Sequence, residues 1–208
     1  ESFGVNVAQA TQHLGQVADQ AGNELFTRAI AMQDLANHSE AQQADADYMQ
    51  KAGELHSQYS ALSGKAAVDG YPDYIKGLQD ARSALRDNLS NGMSQKLFDS
   101  QSLSTMGRTI FNGAGHAATQ NKEYALNSSK SRVQAIGDTV LANPSDEAGF
   151  QQGLAQTKAE VEASMQLNQG VGADDPMTQE AVTQATSKMW AQRIKGLTKT
   201  QPIQAGKM

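Results

Sequence analysis

Cysteine is absent from this chain, which excludes a disulfide scaffold and any zinc site built on thiolates. Aromatic residues make up only 5% of the 208 positions and proline occurs four times, so large core side chains are scarce and helix breaks are few. No apolar run approaches the roughly 18–20 residues that span a bilayer. A basic excess is missing as well, since the formal net charge is −5. The cations Lys51, Lys65, Lys76, Arg82, Arg86, Arg108, Lys130 and Arg132 are scattered, and no run of them is long enough to track a phosphate backbone. The opening E-S-F-G-V-N-V has no basic segment ahead of an apolar one, so a signal peptide is not expected there.

What the chain does have is alanine, glutamine and serine at helical spacing. Hydrophobic residues are 38% of the whole, and about 30 of them are alanine. That is low for a compact globule but above the level of a disordered chain. It suits long helices that meet along small-residue seams, because a helix facing another helix needs only a narrow apolar stripe. The expected class is therefore all-α, with long helices in an extended bundle or hairpin arrangement.

Residues 1–63 read as one long helix with a phase slip, or as a pair kinked near Asn37. Leu14, Ala18, Ala21, Leu25, Ala29, Met32 and Ala36 fall on one face. After Asn37-His38-Ser39 the stripe resumes at Ala41, Ala44, Tyr48, Ala52, Leu55, Tyr59 and Leu62. The stretch L-S-G-K-A-A-V-D-G-Y-P-D-Y over 62–74 is predicted to stop that helix at Gly64, turn again at Gly70 and restart at Pro72. Residues 64–198 read as a multi-helix bundle and 199–208 as a flexible tail. Within the bundle, Ser90-Asn91-Gly92 ends one helix, a short piece carries Met93, Leu97 and Phe98, and a long helix is expected from Ser102 or Ser104 to Ala142. Ser145-Asp146-Glu147 and Asp174-Asp175-Pro176 are helix starts with capping oxygens, and Gly170-Val171-Gly172 is a stop.

The polar residues give little chemistry. None of His13, His38, His56 and His116 lies three or four residues from another histidine, so no helix face offers two imidazoles to a metal. His116, next to the apolar stripe of its helix with Glu123 and Tyr124 beyond, reads as a packed histidine bonding across a seam rather than as a general base. The acidic pairs Asp45/Asp47, Asp146/Glu147 and Glu160/Glu162 sit at spacings that point apart on a helix or at helix starts. They read as solvated faces and caps, not as the fixed pair of a glycosidase. Gly113-Ala114-Gly115 lacks the Lys-Ser or Lys-Thr of a phosphate loop; with Ala117 and Ala118 it reads as a patch that lets another helix approach. No catalytic residue, metal site or cofactor is expected, and the chain is not read as an enzyme.

The sequence S-A-L-S-G-K-A-A-V-D-G-Y-P-D-Y-I-K-G-L-Q-D-A-R, followed by M-S-Q-K-L-F-D and then H-A-A-T-Q-N-K-E-Y, resembles a module of large internal virion proteins from short-tailed bacteriophages. Gly64, Ala67, Val68, Tyr74, Leu78, Arg82, Phe98, Asp99, His116 and Tyr124 carry the match, within a span of roughly 55–200. The resemblance implies a protein stored in the phage head, ejected with or ahead of the genome, and helping to form a conduit across the host envelope. It implies no catalytic residues, although some relatives carry a lytic transglycosylase domain elsewhere.

The expectation is thus a structural virion protein that forms a homo-oligomeric ring or tube. Other virion proteins (the portal or further ejection proteins) and, transiently, the host envelope are its partners, with direct DNA contact left open. Its expected contact surfaces are Leu14, Ala18, Ala21 and Leu25 on the first helix and Gly113 and Ala117 in the small patch. A secreted helical translocator, needle or flagellar-type assembly protein is the alternative, because it shares the same composition.

Overall fold

A computed structural model describes the backbone of residues 2–206 and the side chains of 19, 21–203 and 206. The described chain is all-α. Its helices are α1 (Ser2–Ser60), α2 (Lys65–Asp87), α3 (Gly92–Ala142), α4 (Glu147–Gln169), α5 (Pro176–Thr200) and the single turn α6 (Pro202–Ala205). No strand occurs among the described residues.

Local chemistry sets most of the ends. Gly64 takes a positive φ of 55° in the connector after α1, a conformation that costs an ordinary residue its Cβ clearance. Asn91 opens α3, its Oδ1 accepting from the backbone N–H groups of Met93 and Ser94 at 2.9 and 3.1 Å. Asp146 caps α4 by accepting from Gly149 N, and Gly170 ends that helix with φ 73°. Asp175 caps α5 through Met177 N, with Pro176 in the first turn. Each cap satisfies a donor that the helix itself leaves open.

Of the two readings of the first segment, the single helix holds: the phase slip at Asn37-His38-Ser39 does not break it, and α1 runs unbroken to Ser60. Two sequence expectations need correction. Gly70 makes no turn and Pro72 starts nothing, because α2 begins at Lys65 and carries Pro72 inside it. Proline cannot donate to the carbonyl four residues back, so one ladder bond is lost there while packing keeps the helix going. The short piece around Phe98 is not separate either, and α3 extends from Gly92 straight through to Ala142. Phe98 is fully buried and Ser102 Oγ turns inward to the Phe98 carbonyl at 2.7 Å, so the serines taken for a start lie inside a helix.

The chain forms two compact units, one of residues 1–61 and 71–113, the other of 62–70 and 114–208. These two units interleave in sequence. The core of the first unit is an alanine seam with aromatic fill. Ala41, Ala44 and Ala52 of α1 are buried beside Tyr48, Tyr59, Tyr74, Leu78 and Phe98. The Tyr48 ring meets Phe98 edge-on at 6.3 Å and Tyr59 stacks on Tyr74 at 4.4 Å. Aromatic pairs of this kind contribute beyond their buried area, so a few rings compensate for many small side chains.

In the second unit the core is Val140 of α3, Phe150 of α4 and Met189 of α5, with Ile136 and Leu154 against it. Arg193 is buried there with only 3% of its surface exposed. Its guanidinium lies 4.4 Å from the Phe150 ring centre and donates to the Pro144 carbonyl at 2.9 Å and to Glu147 at 2.5 Å. A buried charge needs such complete pairing, and Arg193 thereby ties α5 to the turn that starts α4. Within this unit His116 Nε2 lies 2.9 Å from the Leu62 carbonyl, and Gly64 N donates to Gln120 Oε1 at 2.6 Å. These two bonds fasten the connector after α1 to α3.

Candidate functional site

The titratable groups resolve into structural roles. His56 stands in the first unit between the Tyr74 hydroxyl at 3.1 Å and Ser60 Oγ at 3.4 Å. The Tyr74 hydroxyl already donates to the Thr109 carbonyl at 2.9 Å. His56 Nδ1 must therefore be the donor to Tyr74, since a hydroxyl has one proton to give. Burial pushes the Tyr74 phenol up to about 12, so it stays a neutral donor. His38 donates to the Asp34 carbonyl, one turn back on α1. His13 lies outside the described side chains. Among the described residues no group of three or more His, Asp or Glu is placed to hold a metal ion.

Most of the acidic pairs are solvated or capping, as their spacing suggests. Asp47 accepts from Gln43 on the exposed face, and Glu160 holds Arg132 in a two-bond fork at 2.6 and 2.8 Å. The Arg193 hydrogen bond keeps the Glu147 carboxyl below its ordinary value. Asp45 is the correction. It is 8% exposed, its Oδ1 has no hydrogen-bond partner, and burial raises its pKa. One turn on, the fully buried Tyr48 hydroxyl is also without a partner.

The residues singled out as contact surfaces separate into three groups. Leu14 and Ala18 lie outside the described side chains. Gly113 is buried, and a Cβ added there would sit 2.3 Å from Tyr74 Cε1. The close approach it permits is therefore to α2 of its own chain, while Ala117 is half-buried on α3. Ala21 and Leu25 are exposed.

Leu25 has company that the stripe reading missed. Leu25, Phe26, Met32 and Leu35 each expose about two thirds or more of their surface (68, 68, 72 and 69%), and Ile30 exposes 48%. From residue 21 to 36 every side chain is exposed. Together the five large side chains leave on the order of 600 Å² of apolar surface in water, comparable with the ~800 Å² per partner of a standard protein interface. The available signal was that apolar residues here are not confined to one stripe. Leu25, Phe26, Ala29, Ile30, Met32 and Leu35 spread around the helix, and a helix apolar on several sides needs covering on several sides.

No family model matches this chain, and neither a curated protein nor a solved structure is significantly similar to it.

The site that the geometry offers is thus a surface. No helix among the described residues is long and apolar enough to cross a membrane. The uncovered half of α1 ends where polar bonds begin. Asn37 Oδ1 accepts from Asn91 Nδ2 at 2.8 Å and from Gln33 at 3.0 Å, and Glu40 accepts from the backbone and hydroxyl of Ser90, both at 2.7 Å. Those bonds hold α1 to the start of α3 and fix where its packed half begins.

Proposed function

We propose that this chain is a structural assembly protein, an internal virion or ejection protein of a short-tailed phage that oligomerises into a ring or tube and helps carry the genome across the host envelope. One observation carries the assembly part: the apolar surface of α1 from Leu25 to Leu35, which no described residue covers. Such a surface on a helix is costly in water, at roughly 25 cal/mol per Å², and further copies of the same helix would remove that cost. The phage part rests on the resemblance carried by Gly64, Tyr74, Arg82, Phe98, Asp99 and His116. In this reading the protein sits in the phage head beside the portal or other ejection proteins, and reaches the host envelope after ejection.

Two features agree with this role. Arg82 and Arg86 both bind the Asp99 carboxylate, Arg82 at 2.6 Å and Arg86 at 3.0 Å, and Arg82 Nε donates to Ser102 Oγ. The matching residues Arg82 and Asp99 thus tie one helix to the next. The alanine seam of the first unit (Ala41, Ala44 and Ala52) buries little apolar area per residue, which favours the partial opening that passage through a narrow channel requires.

The decisive measurement is solution mass by size-exclusion chromatography with light scattering, with and without liposomes. The expected result is a closed oligomer or a lipid-triggered assembly. A monodisperse monomer indifferent to lipid would overturn the assembly reading. Mass spectrometry of purified phage particles against culture supernatant separates the virion protein from the secreted translocator, and presence in the supernatant alone would overturn the phage part.

A further inference from the structure

The outward face of α3 in the first unit is a second apolar surface. Met93, Leu103 and Phe111 each expose more than half of their surface. At 3.6 residues per turn they fall within about 100° of arc, together with Ser100, Ser104 and Gly107, which are exposed as well. A Cβ added at Gly107 would meet nothing within 4 Å, so this face sets large side chains apart with open ground between them. Its charges have one sign. Lys96 and Arg108 are exposed, and among the described residues neither is held in an ion pair. Asp99, the one carboxylate between residues 92 and 113, is already taken by Arg82 and Arg86.

The exposed stretch of α1 is the complement of that face. Residues 19–36 carry Asp19, Glu24 and Asp34 against Arg28 alone. Glu24, Arg28 and Asp34 are likewise in no ion pair among the described residues. The exposed stretch 21–36 and the face 93–111 both extend on the order of 25 Å along their axes. Another α1 would cover the apolar side chains too, but it would bring two net-negative segments together, and like charges across an interface cost affinity. The α3 face of another copy offers opposite charge over the same length. We propose that α1 of one copy docks, through residues 21–36, on the Met93–Phe111 face of α3 in the next copy. The docking rests on the assembly reading and names its two surfaces. Because the faces differ and each chain has both, the contact is heterologous. It passes from copy to copy and closes into a ring or continues as a tube, whereas a two-fold pair built on one face would stop at two.

The absence of cysteine makes introduced thiols clean probes. Ile30 and Leu103 lie near the midpoints of their faces, so they approach each other whether the helices run parallel or antiparallel. Both are exposed, and replacing them should leave folding intact. Full chains bearing Ile30→Cys or Leu103→Cys are mixed and treated with a flexible bis-maleimide. The expected product joins one chain of each variant, with little self-product from either variant alone, and the double variant I30C/L103C should give a ladder beyond the dimer. Charge reversal on α3, K96E/R108E, should raise the concentration threshold for assembly about tenfold, and adding E24K and D34K to the same chain should restore it. Self-product from Ile30→Cys alone, no mixed product from an assembled protein, or an unchanged threshold in K96E/R108E would overturn this docking and leave assembly standing. A monomer by light scattering at every concentration would overturn both.

Discussion

The two halves of α1 differ in a way that reverses the usual expectation about size and burial. From Asn37 to Ser60 the helix buries small side chains, Ala41, Ala44 and Ala52, with Tyr48 and Tyr59 between them. From residue 21 to 36 it carries larger apolar side chains, and all of them are exposed. Helix propensity is similar in both halves. The difference is what stands opposite: α2 and α3 within the first unit for one stretch, and nothing among the described residues for the other. Hydrophobic side chains thus mark where a partner is wanted, and the alanines mark where one has already come close.

The comparison breaks most sharply at Tyr48. Its ring is fully buried against Phe98, so Tyr48→Ala should cost about 3–5 kcal/mol of first-unit stability. Four of the five tyrosines (48, 59, 71 and 74) belong to that unit and the single tryptophan, Trp190, to the other. Urea unfolding followed by the near-ultraviolet tyrosine signal and by Trp190 fluorescence therefore reads the two units separately. A loss under 1 kcal/mol in the tyrosine signal would mean that the packed half of α1 is not the core described here.

A second break comes from Gly113→Leu. Tyr74 already occupies the space above Gly113, so overpacking should cost ~1–3 kcal/mol in the tyrosine-reported transition. Had Gly113 served a contact between subunits, the same variant would lower the solution mass and leave the unfolding of the monomer untouched. That second outcome would restore the intermolecular seam expected from the sequence.

Much of this was legible before any coordinates. Period 3.6 from Ala41 to Tyr59 marked the buried stripe, and Asp146, Gly170 and Asp175 marked the ends of α4 and α5, because caps are chemistry local to a few residues. Pro72 misled, since a proline signals a lost N–H but not whether neighbouring helices hold the chain straight regardless. The role of Gly113 was invisible for a related reason: a small residue announces a close approach without saying whose side chain makes it. Asp45 was read as solvated from its spacing to Asp47, and only the packing of α1 places it inside.

Asp45 offers a smaller effect with a definite sign. Burial raises its folded-state pKa above the ordinary value of 3.8. The folded form therefore holds its proton more tightly than the unfolded form. Its contribution to stability is full below the unfolded pKa and is lost as pH rises through the folded one. At neutral pH the ionised, partnerless carboxylate is a net cost, and Asp45→Asn should raise first-unit stability by about 1 kcal/mol. The same variant should flatten the fall in stability above pH 4 in a urea series from acid to neutral. Destabilisation at pH 7 would show instead that the carboxylate has a donor in solution.

The smallest expected change in stability is also the most informative about α1. Phe26 is 68% exposed, so Phe26→Ala should move either unfolding transition by less than about 0.5 kcal/mol. Light scattering of the same variant should nonetheless show a lower assembled mass or a higher concentration threshold, because the ring is lost from the surface that other copies cover. The two readouts are independent, and their combination decides what the uncovered half is for. Unchanged stability with weakened assembly makes Phe26 a contact between copies. A stability loss approaching that of Tyr48→Ala would mean that the ring is covered within its own chain, and the contrast between the two halves of α1 would disappear.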